Sequence, residues 1–166
     1  MINNLFKLYF FFALFLCGCP KATNDNLNDI KQNTIEEKPS QNIDYKNEYS
    51  ESNLKLLKLH NKQREYKGRV GLDLDKTLIN YAQKHAEWMA RKNNLTHSDI
   101  SVLMGKYHTA GENIAWNQED EEEVTNSWMN SSGHRANILN RSFSKVGFGV
   151  APAKDGSLYW CTVFGD

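Results

Sequence analysis

Val146-Gly147-Phe148-Gly149-Val150, then Lys154-Asp155-Gly156, then Leu158-Tyr159-Trp160-Cys161-Thr162-Val163-Phe164 is the stretch whose periodicity sets the fold of this chain. Its first and last segments alternate in character with the two-residue period of a strand. The Lys-Asp-Gly between them has the chemistry of a hairpin turn. Gly147-Phe148-Gly149 has the opening of a phosphate-binding loop, but it lies inside a strand pattern and lacks a third glycine, so it reads as strand.

Upstream of this hairpin the period becomes helical. Ser52 predicts the cap of a helix running to about Lys67, with Leu54, Leu57 and Asn61 or Arg64 on one face. Asp75 predicts the cap of a second helix. There Leu78, Ile79, Ala82, Ala86 and Met89 fall at helical spacing, and the end comes near Asn93-Asn94. The acidic run Glu119 to Glu123 reads as the solvated first turn of a third helix, continuing through Val124 and Trp128, rather than as a calcium site. Negative charge there complements the positive end of the helix dipole. Helices first and strands later imply an α+β layer arrangement and not a βαβ repeat.

Composition bounds the rest. A chain of 166 residues with 40% apolar and 24% charged residues suits one ordinary domain. Its 20 basic and 20 acidic side chains cancel, which leaves no whole-chain footprint for a nucleic-acid partner. The 3 cysteines cannot build a disulfide scaffold.

Residues 1–18 run through Lys7 into an apolar stretch from Leu8 to Leu16. It is too short to span a bilayer and has the flank of a secretory signal peptide. Leu16-Cys17-Gly18-Cys19 resembles the bacterial lipobox, which implies a diacylglyceryl group on Cys19 and anchoring to a membrane. An ordinary signal peptide with incidental cysteines is the alternative. Residues 19–51 are then the lipidated N-terminus and a polar tether, too poor in apolar residues to offset the entropy of ordering. Residues 52–166, with all the tryptophans, are the compact domain, and a core on Trp88, Trp116, Trp128 and Trp160 is expected.

No His-Glu-x-x-His, nucleophile elbow, Walker loop or Cys-x-x-Cys occurs in the sequence. The residues that could carry chemistry are His97 in Asn94-Leu95-Thr96-His97-Ser98, Glu112 in Gly111-Glu112-Asn113-Ile114-Ala115, and His134 in Ser132-Gly133-His134-Arg135. Their spacing alone assigns them nothing. Ser131 and Ser132 invite a serine-hydrolase reading, but capping of the short helix through Ile138 accounts better for Ser132. His85 and His108 read as surface residues, Asn61 and Arg64 as structural polar anchors. Cys161, in an apolar strand, reads as a buried, inert thiol.

Together these words carry a resemblance. His60-Asn61-Lys62-Gln63-Arg64, Thr96-His97-Ser98, Gly111 to Ala115, Trp128-Met129, Ser132 to Leu139, Val146 to Gly149, and Tyr159-Trp160 with Phe164-Gly165 resemble the CAP superfamily. This is the superfamily of cysteine-rich secretory proteins, antigen 5 and pathogenesis-related proteins. The resemblance implies a three-layer α-β-α sandwich with an open cleft lined by two histidines and two glutamates, where some members bind a divalent cation. His97, Glu112 and His134 match three of those positions. The fourth is Ser131 here, which weakens the case for paired-carboxylate chemistry. The three that remain would suffice for a modest zinc or magnesium site.

The resemblance implies an exported module, anchored through Cys19 at an outer membrane or cell surface, that binds a lipid such as a sterol or palmitate, or another extracellular ligand. A metal-dependent hydrolase or peptidase, with His97 and His134 holding the cation and Glu112 as ligand or base, is the alternative. A structural role in the cell envelope through protein partners is a third reading.

Overall fold

The computed structural model describes residues 48–166. The signal peptide, Cys17, Cys19 and nearly all of the tether therefore lie outside the described residues. Helix α1 is Glu51–Tyr66, strand β1 Asp73–Leu74 and helix α2 Lys76–Lys92, followed by a single 3-10 turn at Ile100–Leu103. Strand β2 is Ala110–Trp116, helix α3 Glu121–Asn130, helix α4 Ser132–Ile138, and strands β3 and β4 are Lys145–Pro152 and Leu158–Gly165. The strands form one sheet in the order β1-β3-β4-β2. β1 runs parallel to β3, while β4 is antiparallel to both β3 and β2.

Strand alternation divides the core in two. Val146, Phe148, Trp160 and Phe164 point to one face, where Leu56 of α1, Val124 and Trp128 of α3 and Ile138 of α4 cover them. Ala151, Tyr159, Cys161 and Val163 point to the other, against Leu78, Ala82, Ala86 and Met89 of α2. Helices on both faces of one sheet make the three-layer α-β-α sandwich. The Lys154-Asp155-Gly156 turn joins β3 to β4 as the alternation predicts, with Gly156 at φ 87°.

Gly147 and Gly149 are the points where α2 lies on the sheet. A Cβ on Gly147 would fall 2.1 Å from the backbone of Leu78 and Ile79, and one on Gly149 2.4 Å from that of Ala82 and Gln83. Asp75 caps α2 as expected, its carboxylate accepting from Thr77 N at 2.7 Å and Leu78 N at 3.1 Å. Asn93 closes the helix in the left-handed conformation, at φ 48°. The acidic run begins α3: Asp120 caps it and Glu121 to Glu123 form its first turn.

Four expectations are corrected. Ser50, not Ser52, caps α1, its hydroxyl accepting from Asn53 N at 3.2 Å. Just ahead of α1, Glu48 is paired with Lys76 at 2.6 Å. The inward face of α1 is Leu56, His60 and Arg64, four residues apart, while Leu54 and Leu57 are only partly buried. Ser132 is the first helical residue of α4, and its N-cap, Ser131, makes no side-chain cap bond. Finally, only Trp128 and Trp160 are buried core tryptophans; Trp88 is half-buried and Trp116 is 46% exposed. Trp116 is the last residue of β2, where the run of buried positions along the strand ends.

Asn61 and Arg64 are the polar anchors expected. Asn61 exchanges two hydrogen bonds with the backbone of Leu72. Arg64, 1% exposed, donates to the carbonyls of Val70, Ile138, Asn140 and Phe143. A buried guanidinium is tolerable only when its fork of donors is matched in this way.

Candidate functional site

Glu112 belongs to β2, and alternation turns its side chain toward the α2 face of the sheet, beside Ile114. Its carboxylate is almost wholly buried, which would be costly without donors. Four are supplied. His97 Nδ1 lies 2.7 Å from Oε1 and Ser98 N donates to the same oxygen at 2.9 Å. The Ser98 hydroxyl donates to Oε2, and the Cys161 thiol, one strand over on β4, approaches it at 3.7 Å. With the carboxylate as acceptor, the bond assigns the imidazole proton to Nδ1 and leaves Nε2 facing outward. The imidazole is 62% exposed while the carboxylate behind it is 3% exposed.

The segment bearing His97 is strapped to α2 at two points. His85 Nε2 bonds the carbonyl of Thr96 at 2.8 Å and Tyr81 donates to that of Asp99 at 2.8 Å. His85 also stacks on Trp88, so it is a strut of the site and not the idle surface residue its sequence context suggests. His108, by contrast, is exposed and pairs with Asp166 at 3.2 Å.

His134 reaches the same region from α4. Asn113 Nδ2 donates to the His134 carbonyl at 3.0 Å, and Asn137 Nδ2 donates to the Glu112 carbonyl at 3.1 Å and to Asn113 Oδ1 at 2.9 Å. Partial burial lowers the pKa of the His134 imidazole below the usual histidine value, and the charge of His97 adds to the effect.

Sequence reasoning missed Ser98, Asn113, Asn137, Tyr81 and the contact of Cys161 with Glu112. Ser98, Asn113 and Asn137 stand inside the quoted motifs, but only the strand register and the loop path bring Ser98 and Cys161 to the carboxylate and Asn137 to the Glu112 carbonyl. Cys161 is buried, and burial next to Glu112 pushes its thiol pKa well up, as expected of an inert thiol.

Both oxygens of Glu112 are thus engaged within the protein. Among the described residues, no group of three or more His, Cys, Asp and Glu side chains is arranged to hold a metal ion. What faces outward is the His97 imidazole, while His134 on α4 is partly buried.

An α-β-α sandwich with a buried glutamate bonded to an exposed histidine on its edge strand defines a class of protein. The family model for the cysteine-rich secretory protein family, CAP, matches residues 57–164, and the chain belongs to that family. It is 34% identical over 148 residues to the uncharacterized protein YkwD of Bacillus subtilis, covering 84% of this chain and 57% of that one. An outer surface protein of Borrelia burgdorferi superimposes with a TM-score of 0.62 at 21% identity, over 68% of this chain and 90% of that chain. A Bacillus anthracis extracellular protein containing an SCP domain gives 0.60 at 25% identity, over 69% of this chain and 40% of its own. The domain is therefore of the type found in extracellular proteins.

Proposed function

We propose that this chain is an exported, membrane-anchored binding module. Its ligand would be an amphiphilic lipid of the sterol or fatty-acid class, with its polar head at His97 and His134. The observation that carries this reading is the His97 imidazole, braced from behind by a buried carboxylate so that Nε2 faces solvent. Exposed apolar side chains flank it in the chain: Leu95 at 47%, Val102 at 67% and Met104 at 50% exposure. An outward acceptor with exposed apolar residues close to it in the chain suits a ligand with a small polar head and an apolar body. Turnover is disfavoured by the hydrogen bonds. The Ser98 hydroxyl is spent on Glu112 rather than on an imidazole, so Ser98 is not poised as a nucleophile with a histidine base. Export is consistent with the surface and extracellular descriptions of the structural neighbours. Anchoring rests on the lipobox at Leu16 to Cys19, and a Cys19→Ser chain that stays in the membrane fraction would remove it.

The test is calorimetric titration of palmitate and of cholesterol into the delipidated full chain, beside His97→Ala. Saturable binding weakened about tenfold or more in the variant is the expected result. No binding of either lipid, with the protein folded, sinks the reading. A second reading has one observation in its favour. A carboxylate bonded to the far nitrogen of an outward imidazole is how metal-ligating histidines are oriented. Zinc would then bind His97 and His134 with Glu112 supporting them. Zinc affinity lost in both His97→Ala and His134→Ala would favour it, and zinc binding indifferent to both variants would end it.

A further inference from the structure

Trp116 ends β2 with a large part of its indole uncovered, and it walls an open hollow of about 520 Å³ with Gln118, Glu119, Asp155 and Ser157. The ring is held in place. Its Nε1 donates to Ser157 Oγ at 3.1 Å across to the β3–β4 turn, and its centroid lies 6.4 Å from that of Tyr159. Asn117, at φ 73°, turns the chain away from the strand, and the Gln118 carbonyl then accepts from Trp160 Nε1 at 2.9 Å.

The groups left over are all of one kind. The indole donor is used, so only its π face is offered. The carboxylates of Glu119 and Asp155 are in none of the ion pairs among the described residues. Hydrogen bonds from Ser157 hold the Asp155 carboxyl below its usual pKa, so it is charged at neutral pH. Gln118 Oε1 is shielded from solvent and has no donor. No cationic side chain lines the hollow; Lys154, on the same turn, lies in a separate depression with Glu87 and Arg91. A π face and two carboxylates outside any ion pair are complementary to a positively charged group bearing N–H donors.

We propose that this hollow is a second binding site, separate from the His97 cleft, for an organic cation. Its ligand is the ammonium or guanidinium group of a free polyamine or of a lysine or arginine side chain on a polypeptide. The indole face receives the cation and Glu119 and Asp155 neutralise it.

The test is calorimetry on the full chain in neutral maltoside detergent, with spermidine and with a short acetylated arginine–glycine peptide as probes. The same peptide carrying citrulline in place of arginine is the uncharged comparator. Saturable binding of either cation, weakened about threefold to thirtyfold by Trp116→Ala and measurably by Glu119→Gln, is the expected result. Glu119→Gln keeps the indole and the turn, so it guards against a folding defect in the tryptophan variant. Spermidine alone binding assigns a free cation, and the peptide alone binding assigns a polypeptide partner. Equal binding of the citrulline peptide, binding that ignores both variants, or heat from N-acetylglucosamine but from neither cation overturns the proposal.

Discussion

His60 shows how one buried residue sets a pH limit. Its ring lies among Trp128 and Phe148, at centroid distances of 5.8 and 4.9 Å, and Nδ1 donates to the Leu56 carbonyl at 2.9 Å. Nε2 has no partner, so a second proton would have nowhere to go. Burial lowers the pKa to about 4, against the opposing pull of the Leu56 bond. The unfolded chain therefore binds the proton first. Stability is whole above the ordinary histidine value and falls as pH drops from there toward about 4, where the loss levels off. Between about pH 7 and about pH 5 this group removes on the order of 2 kcal/mol. His134, lowered for the same main reason, acts in the same direction. Urea unfolding at the two pH values is expected to show that loss in the wild type and a clearly smaller one in His60→Phe. Equal losses would mean that His60 does not titrate on unfolding.

At the scale of elements, the contact that orders the molecule is α2 on the hairpin. It depends on an absence of side chain: Gly147 and Gly149 let helix and strand backbones meet where any Cβ would collide. Gly147→Ala is expected to destabilise by on the order of 3 kcal/mol, because backbone atoms at 2.1 Å cannot yield without lifting the helix. Gly133 is the contrasting case, a helical glycine with nothing within 4 Å of a built Cβ. Gly133→Ala is expected to be neutral or stabilising by up to about 1 kcal/mol. Thermal unfolding of the two variants checks the pair, and similar shifts in both would remove the packing argument. Across the sheet, Arg64 ties α1 to the carbonyls that follow α4, so the helical layer on that side is joined by hydrogen bonds as well as apolar contact.

On the scale of the whole molecule, the sheet is covered on both faces, and the cleft network at β2 reaches the interior through Cys161. That thiol is 1% exposed, bonded toward Glu112, and raised in pKa by burial. Reaction with a thiol reagent needs both exposure and the thiolate. In the Cys17→Ser, Cys19→Ser chain, labelling of Cys161 is expected to be negligible under native conditions and to rise with urea along the global unfolding curve. Fast native labelling would show that the β4 side of the site opens without unfolding. The same interior position makes the cleft carboxylate a buried support for His97 rather than a free reagent.

Local pattern carried much of this protein. The hairpin, the cap and apolar stripe of α2, the acidic start of α3 and the chain order of the motif words are all readable from residues a few positions apart. Period and capping are properties of neighbours in sequence. The parallel pairing of β1 with β3, the inward turn of His60 and the exposure of Trp116 are not readable in this way, because burial depends on which layer covers each face. Nor could motif spacing reveal that Glu112 is already bonded by Ser98, His97 and Cys161. Those partners come from a loop on one side and a neighbouring strand on the other, and only strand register and loop path bring them within hydrogen-bonding distance.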